Sequence, residues 1–259
     1  RLGSSCAVEV ILYVFARGLA QRVKPGQAVT PEDVFAAVKL VYETVKGAYS
    51  VVAILADGGL VAFRDPFGIK PICFGEKLTE KGVSYACASE SVVLDITGYA
   101  RTLDIGAGEA IFVDKGRKLH TRKLTDKPHC PCIFELVYFA RHDSMLDDIS
   151  VYKTRRRFGE ALAAQWVESG APLPDTIIPE PDSSREAAVA MAGGLRPRFV
   201  IVCGDMVNTA GNAAQVAEVK RIAAALPADV PFRYVAGNHD ACFDNEVPDP
   251  ESLARYRTD

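Results

Sequence analysis

Polar residues that could take part in chemistry follow directly on two apolar runs near the carboxyl end of the sequence. Gly204–Asn208 follows the apolar run 199–203, and Gly237–Asp240 follows a second run, 232–236. The residues between them predict a helix capped by Asn212, so the three elements form a strand–helix–strand unit. The strands of such a unit are parallel, and ligands gather at their carboxyl ends. The pattern therefore predicts that both polar blocks lie at one edge of a parallel sheet.

Two further sets of polar residues precede this unit. Arg64 and Asp65 end an apolar strand-like run, where a structural ion pair or a turn is a more ordinary role than catalysis. Asp182, Ser183 and Ser184 stand at the start of a predicted helix, and the N-terminus of a helix favours an anion.

Seven cysteines are spread along the chain without a repeating spacing: Cys6, Cys73, Cys87, Cys130, Cys132, Cys203 and Cys242. An odd number of scattered thiols, without a secretory signal pattern at the start, is typical of a reducing compartment. We therefore expect a cytoplasmic protein with free thiols.

The composition excludes two classes of partner. The 259 residues are 49% hydrophobic and 24% charged, with a formal net charge of −3, which is typical of a globular protein with a sizeable core. There is no basic footprint for nucleic acid, and no apolar run reaches the roughly 18 residues that span a bilayer. We expect neither nucleic acid nor a membrane to be a main partner.

The order of predicted helices and strands indicates an α/β fold, in which the first part of the chain is α+β. A helix is predicted from Glu9 to Gln21, and a second begins at Pro31 with Thr30 as N-cap and Asp33 at the third position, which indicates a capping box. Strands follow at 48–56, 60–64, near 72, at 84–88, and at 109–113 and 119–124 about a turn.

The later elements alternate strands and helices. Residues 132–140 form an apolar run that predicts a strand, followed by a helix near Arg155–Glu168, a short strand at 176–178 and a helix opening near Ser183. Gly193-Gly194 is a small-residue break that we expect to separate this part from the strand–helix–strand unit.

Three segments, Gly47–Val52, Phe63–Pro71 and Ala88–Ser91, resemble glutamine phosphoribosylpyrophosphate amidotransferases, which open purine synthesis. The resemblance covers about residues 1–192 as an internal fragment and continues through the segments 132–135, 138–141, 143–144 and 150–152. It implies a partial class II glutamine amidotransferase domain at 1–130, with the two-sheet sandwich of N-terminal-nucleophile enzymes. It also implies the start of a phosphoribosyltransferase domain at 131–192. The reaction implied is phosphoribosylamine formation from glutamine and phosphoribosylpyrophosphate.

The same resemblance implies roles for a few residues. Asp182, Ser183 and Ser184 match a loop that faces pyrophosphate, where family members use magnesium, although the nearby Glu180 would oppose an anion. Cys132 matches one ligand of the iron–sulfur cluster that some members bind. One thiolate cannot hold a cluster, and Cys130 is too close to supply the rest, so two ordinary thiols are the alternative.

Other parts of the family's machinery have no match in these 259 residues. The family's N-terminal cysteine nucleophile, its Asn-Gly oxyanion hole and its ribose-phosphate loop are not found, and Ala7 stands where the family has an acid. A nucleophile and prepared donors for the oxyanion are what the glutaminase reaction needs. We therefore expect this chain to be inactive as an amidotransferase.

The blocks Gly204–Asn208 and Gly237–Asp240 resemble two signature blocks of calcineurin-like metallophosphoesterases, which implies a partial domain at 194–259. The resemblance implies Asp205 as a carboxylate bridging two metals, Asn238 as a metal ligand and His239 as proton donor. A divalent metal (Mn, Fe, Zn or Mg) would bind weakly, because the family's other ligand blocks have no match here.

Three hypotheses follow. The chain is an amidotransferase-derived protein acting on glutamine and phosphoribosylpyrophosphate, a metal-dependent hydrolase of phosphoesters, or a non-catalytic chimera of both. Association through exposed apolar surface is a further expectation, because a partial sandwich leaves strand edges and apolar faces uncovered.

Overall fold

The computed structural model describes residues 7–56, 58–178, 185–203 and 212–235. They divide into two compact units, the first containing residues up to 133 together with 143–150, and the second containing 134–142 and the residues from 151 onward. Both units mix helices and strands, which confirms the α/β class. The three-domain division expected from the sequence stays a prediction. Among the described residues, no helix combines the length and apolar character needed to cross a membrane.

Unit 1 begins with two helices, α1 (Ala7–Ala20) and α2 (Pro31–Thr44). The capping box predicted for α2 is confirmed: the Asp33 amide donates to the Thr30 hydroxyl at 3.3 Å, and the Thr30 amide donates to the Asp33 carboxylate at 3.2 Å. Hydrogen bonding from the Thr30 hydroxyl is the main reason that the pKa of Asp33 is lowered, and Arg22 contributes at 3.1 Å. The start of α2 is thus determined by local chemistry.

Seven strands and one helix follow in unit 1: β1 (Ser50–Ile54), β2 (Leu60–Arg64), β3 (Cys73–Thr79), β4 (Gly82–Ala88), α3 (Ser91–Thr97), β5 (Ala100–Asp104), β6 (Glu109–Val113) and β7 (Leu119–Lys123). They form an antiparallel four-stranded sheet of order β1-β2-β6-β7 and a three-stranded sheet of order β4-β3-β5. The predicted hairpins β1–β2 and β6–β7 are confirmed. The sequence analysis missed α3 and β5.

The two sheets and the helices form successive layers. One face of the four-stranded sheet, including Phe63 and Phe112, packs against the buried side of α1 and α2. Its opposite face, including Ala62 and Ile111, packs against Phe74 of the three-stranded sheet. The alternation of these neighbouring positions follows from the two-residue period of a strand.

Apolar side chains are exposed on the edge strand β1 and on α1. Val52 and Ile54 on β1 are 50% and 78% exposed, and Leu12 and Tyr13 on α1 are also exposed. Both β1 residues alternate with side chains that pack into the core, so one face of this strand is uncovered among the described residues. This observation agrees with the expected exposed apolar surface.

The remaining elements lie in the second half of the chain. Two short strands, β8 (Met145–Leu146) and β9 (Ile149–Ser150), belong to unit 1, and unit 2 contains α4 (Val151–Glu168), β10 (Thr176–Ile177), α5 (Arg185–Leu195), β11 (Phe199–Cys203), α6 (Ala213–Ala223) and β12 (Phe232–Val235). The order β10-β11-β12 is parallel throughout. The predicted strand–helix–strand unit is therefore confirmed, including its cap at Asn212.

The break predicted at Gly193 and Gly194 is wrong. Both glycines lie inside the helix α5. A Cβ atom on Gly194 would come within 2.7 Å of the Ala163 side chain on α4. Gly194 thus allows the two helices to approach closely. Its neighbours Ala192 and Leu195 are buried in the packed side of α5.

The strand predicted for 132–140 is wrong. Glu135–Phe139 form a π-helical turn, in which the Ala140 amide donates to the Glu135 carbonyl at 2.9 Å. Arg155 on α4 donates to the carbonyls of Leu136 at 2.8 Å and Ala140 at 2.7 Å. An apolar run alone does not distinguish a strand from a helical turn. Here Arg155 donates the hydrogen bonds to backbone carbonyls that a neighbouring strand would otherwise donate.

Candidate functional site

Arg64 lies at the end of β2 in unit 1, and its side chain is buried, with 1% of the residue exposed. Its Nε donates to the Lys70 carbonyl at 2.7 Å, and Nη1 and Nη2 donate to the carbonyls of Ile105 and Gly68 at 3.1 and 2.7 Å. The same two nitrogens bind both carboxylate oxygens of Asp147 at 2.6 and 2.9 Å. All five N–H groups of the guanidinium therefore have acceptors.

Asp65 is fully buried beside Arg64 and shapes the loop that follows it. One carboxylate oxygen accepts from the Phe67 amide at 3.0 Å, and the other accepts from the amides of Ile69 and Lys70 at 2.9 and 3.2 Å. The Asp65 carbonyl also accepts from Gly108 at 2.9 Å. Arg64 and Asp65 thus hold backbone in place, which matches the structural role that the sequence favours.

Asp147 reaches Arg64 from the two-residue turn between β8 and β9. Asp147 and Asp148 have φ values of 48° and 62°, the left-handed conformation that a tight hairpin turn requires. Arg101 binds Asp104 at 2.7 Å and Asp148 at 2.8 Å, and these partners, Asp104 above all, raise the pKa of its guanidinium. The sequence analysis missed both turn residues, although two adjacent acids between the apolar residues Leu146 and Ile149 are a turn signal.

The same hairpin is attached to the start of α3. The Ser144 hydroxyl donates to the Glu90 carboxylate at 2.8 Å, and the Met145 amide donates to the Ser91 hydroxyl at 2.8 Å. The segments 88–91 and 143–144, both singled out in the sequence, therefore meet in unit 1. Asp147 of the same hairpin connects them to the segment 63–71.

A charged cleft of about 720 Å³ opens beside this network. Its walls carry four cationic and four acidic side chains together with His129. The cations are Arg64, Arg101, Lys123 and Lys127, and the acids are Asp104, Glu109, Asp147 and Asp148. His129 lies 3.4 Å from Asp147. The mixed charge suits a small polar molecule better than a strongly anionic one.

Unit 2 contains a second cleft, of about 610 Å³, between α4, α5 and α6. Its walls are mainly apolar, with Arg156 and Glu160 at one side and Gly193 and Gly194 at the other.

The residues predicted for binding and catalysis are largely outside the described part of the chain. Asp182, Ser183 and Ser184, Asp205, Asn238 and His239 all lie there. Cys132 is described: it is a free, partly exposed thiol. In the described ranges no group of three or more His, Cys, Asp or Glu residues is arranged to hold a metal.

Two buried tyrosines near Arg64 provide a matched test of this interior. The Tyr42 hydroxyl reaches the carbonyls of Arg64 at 2.7 Å and Glu109 at 3.1 Å. The Tyr49 hydroxyl is buried, finds no hydrogen-bond partner among the described residues, and has its pKa raised to about 12 by burial. We expect Tyr42→Phe to lower the free energy of unfolding by about 1–3 kcal/mol and Tyr49→Phe to leave it unchanged or raise it.

Chemical denaturation of both variants measures this difference. An equal loss of stability in both variants would show that the Tyr49 hydroxyl also has a partner, and no loss in Tyr42→Phe would show that the Tyr42 hydrogen bonds contribute nothing.

Sequence comparisons show which known proteins this chain is similar to. The chain is 47% identical over 193 residues to an amidophosphoribosyltransferase of Pseudomonas aeruginosa, covering 74% of this chain and 38% of the relative. It is 39% identical over 191 residues to the Escherichia coli amidophosphoribosyltransferase, covering 71% and 37%, and 36% identical over 227 residues to that of Pasteurella multocida, covering 82% and 44%. The chain thus spans less than half the length of these relatives. It matches no family profile.

Solved structures extend the similarity in fold. A structure described as the allosteric regulatory enzyme of purine biosynthesis matches with a TM-score of 0.59 at 18% identity, over 90% of this chain and 55% of that one. The glutamine phosphoribosylpyrophosphate amidotransferase of B. subtilis, complexed with ADP and GMP, matches with the same score at 19% identity. These comparisons give no support to a phosphoesterase segment.

Proposed function

Because the chain is homologous to amidophosphoribosyltransferases over most of its length, we propose that it forms part of the scaffold of such an enzyme. Unit 1 corresponds in this proposal to part of the glutaminase domain, and unit 2 begins the phosphoribosyltransferase domain. The substrates are glutamine and phosphoribosylpyrophosphate, and the product is phosphoribosylamine. The observation that carries the proposal is the Arg64 network. The family-like segments 88–91 and 143–144 contact each other through Ser144 and Glu90, and the family-like segment 63–71 is bound by Asp147 of the hairpin that follows.

The residues of this network support a structural role. Every guanidinium N–H of Arg64 has an acceptor, and both carboxylate oxygens of Asp65 accept from backbone amides. Groups that are fully engaged in holding backbone are poorly placed to exchange partners during a reaction. We therefore propose that they position the domain's interior, and that this chain by itself does not hydrolyse glutamine, since it contains no Asn-Gly pair for the oxyanion.

An exchange of segments tests the proposal. We expect the P. aeruginosa enzyme to keep phosphoribosylamine formation within about tenfold when its aligned segment is replaced by the corresponding residues of this chain. The physical reason is that scaffold residues act through packing, which related segments preserve. The measurement is phosphoribosylpyrophosphate- and glutamine-dependent product formation by the purified exchange enzyme.

The 259-residue chain alone is the control and should release no ammonia from glutamine above background. A well-folded exchange enzyme without activity would contradict the scaffold proposal. Ammonia release by the chain alone that Cys6→Ala abolishes would contradict its inactivity.

The magnesium and iron–sulfur cluster of the amidotransferase family are not part of the proposed role of the described residues. The match of Cys132 to a cluster ligand and the proposed pyrophosphate-facing residues Asp182, Ser183 and Ser184 remain predictions.

A metal-dependent phosphoesterase is the second candidate. The observation that favours it is the parallel pairing of β11 and β12, because the carboxyl ends of parallel neighbours lie at one sheet edge. The residues that would hold the metal, Asp205 and Asn238, and the proton donor His239 lie outside the described residues. This function, and the non-catalytic chimera, therefore stay predictions from the sequence.

A further inference from the structure

Cys130 and Cys132 lie on a segment whose backbone is held at alternate residues. The Cys130 amide donates to the Phe67 carbonyl at 2.8 Å, and the Cys132 amide donates to the Ile69 carbonyl at 3.2 Å. Pro131 between them has no N–H to satisfy. Two amides that point to the same neighbouring segment from positions i and i+2 indicate an extended backbone with a two-residue period.

Side chains two residues apart in an extended chain share a face, so we infer that the two cysteine side chains lie on the same side of the segment. Both thiols are free; Cys130 is exposed and Cys132 is partly exposed. In an extended chain, Cα atoms two residues apart are separated by about 6.6–7.2 Å. A disulfide needs Cα atoms within about 6.8 Å and Cβ atoms within about 4.5 Å. The pair therefore lies at the upper limit of the spacing that a disulfide spans.

The spacing fits a metal ion between the two sulfurs. A metal–sulfur bond is about 2.3 Å long, so two sulfurs joined through one ion lie about 4.6 Å apart. Side-chain rotation can bring two thiols on the same face to this distance, because each Cβ–Sγ bond can lean along the strand toward the other.

We propose that Cys130 and Cys132 bind a single soft monovalent cation, such as Cu(I), between their two thiolates. Soft thiolates select Cu(I), whereas Zn²⁺ takes four ligands. The described residues provide no group of three or more metal-ligating side chains, so a two-coordinate ion is the one that this pair satisfies. Binding releases two thiol protons and leaves one net negative charge on the complex.

The loop beneath the two cysteines is already rigid. Its carbonyls at Phe67 and Ile69 belong to residues whose own amides are bound by the buried Asp65 carboxylate. The His129 side chain also packs on Gly68 in the middle of this loop. A ligand pair whose backbone is fixed before binding loses less freedom when the ion binds. This site is separate from the proposed amidotransferase role and does not depend on it.

Anaerobic competition for Cu(I) against bathocuproine disulfonate tests the proposal on the full chain. We expect Cys130→Ser and Cys132→Ser each to weaken the tightest Cu(I) equivalent by about 100-fold, because each leaves a single thiolate. Cys242→Ser, which removes a thiol elsewhere, should leave that equivalent unchanged. X-ray absorption of the chain loaded with less than one equivalent should show two sulfur ligands.

Thermal melts of the serine variants should match that of the unaltered chain, since both thiols are accessible. Unchanged tight Cu(I) binding in the double variant Cys130→Ser/Cys132→Ser would overturn the proposal. A third or fourth sulfur ligand in the absorption spectrum, or equally tight binding of Zn²⁺, would overturn the two-coordinate assignment.

Discussion

Replacement of Arg64 by methionine is expected to lower the free energy of unfolding of unit 1 by about 3–5 kcal/mol. Methionine fills a similar volume but donates no hydrogen bonds. The substitution leaves the carbonyls of Lys70, Ile105 and Gly68 without the donors they now have. It also removes the ion pair of the largely buried Asp147 carboxylate, which then keeps the His129 contact at 3.4 Å within the described part of the chain. Buried polar groups that lose their partners keep the full cost of desolvation.

Two probes in the chain separate the units in this experiment. Cys73 in unit 1 is buried, and burial raises the pKa of its thiol to about 11, so its reaction with a thiol reagent reports the opening of unit 1. Trp166 in unit 2 is the single tryptophan, and its fluorescence reports unit 2. We expect Arg64→Met to speed the labelling of Cys73 during urea titration.

Arg122→Met is the matched control for Arg64→Met. Arg122 is about half exposed and pairs with the exposed Glu32, and such surface pairs contribute about 0–1 kcal/mol. Adding Asp147→Asn to Arg64→Met should cost less than Asp147→Asn alone, because the guanidinium partner is already lost. Equal stabilities of Arg64→Met and Arg122→Met would show that the buried network does not hold unit 1 together.

Gly159→Ala is expected to destabilise unit 2 by about 3 kcal/mol or more, through overpacking between α4 and α5. A Cβ atom at this position would lie 1.9 Å from the Ala187 carbonyl oxygen and 2.7 Å from its carbonyl carbon. These are backbone atoms of α5, so the clash cannot be relieved by a side-chain rotation. One turn later the contact between Ala163 and Gly194 is also close, and the two helices must therefore separate along their length.

Gly193→Ala is the matched control within the same pair of helices. A Cβ atom on Gly193 meets no described atom within 4 Å, and alanine is a better helix former than glycine by about 1 kcal/mol. We expect Gly193→Ala to be neutral or stabilising in Trp166-detected denaturation, and Gly159→Ala to shift the midpoint strongly downward. If both variants are equally stable, the helices do not contact each other at Gly159.

Local features of the fold were predictable from the sequence. Thr30 and Asp33 begin α2 through bonds between residues three apart, and the hairpins β1–β2 and β6–β7 follow alternating apolar patterns about short turns. The strand–helix–strand unit β11–α6–β12 was also predicted, because its apolar patterns and its cap are complete within about 40 residues. The resemblance to amidotransferases was also recognisable in the sequence, and the chain is 47% identical over 193 residues to an amidophosphoribosyltransferase.

Only the tertiary structure decided features that join residues distant in sequence. Arg64 binds Asp147 across 83 residues, and the types of these residues alone do not reveal the pairing. The π-helical turn at Glu135–Phe139 depends on Arg155, and the close approach at Gly159 depends on Ala187. The sequence by itself determined where helices and hairpins begin, because caps, turns and periodicity act over a few residues. Which buried polar groups satisfy one another was decided by the fold, because desolvation makes a partner obligatory without specifying where in the chain it lies.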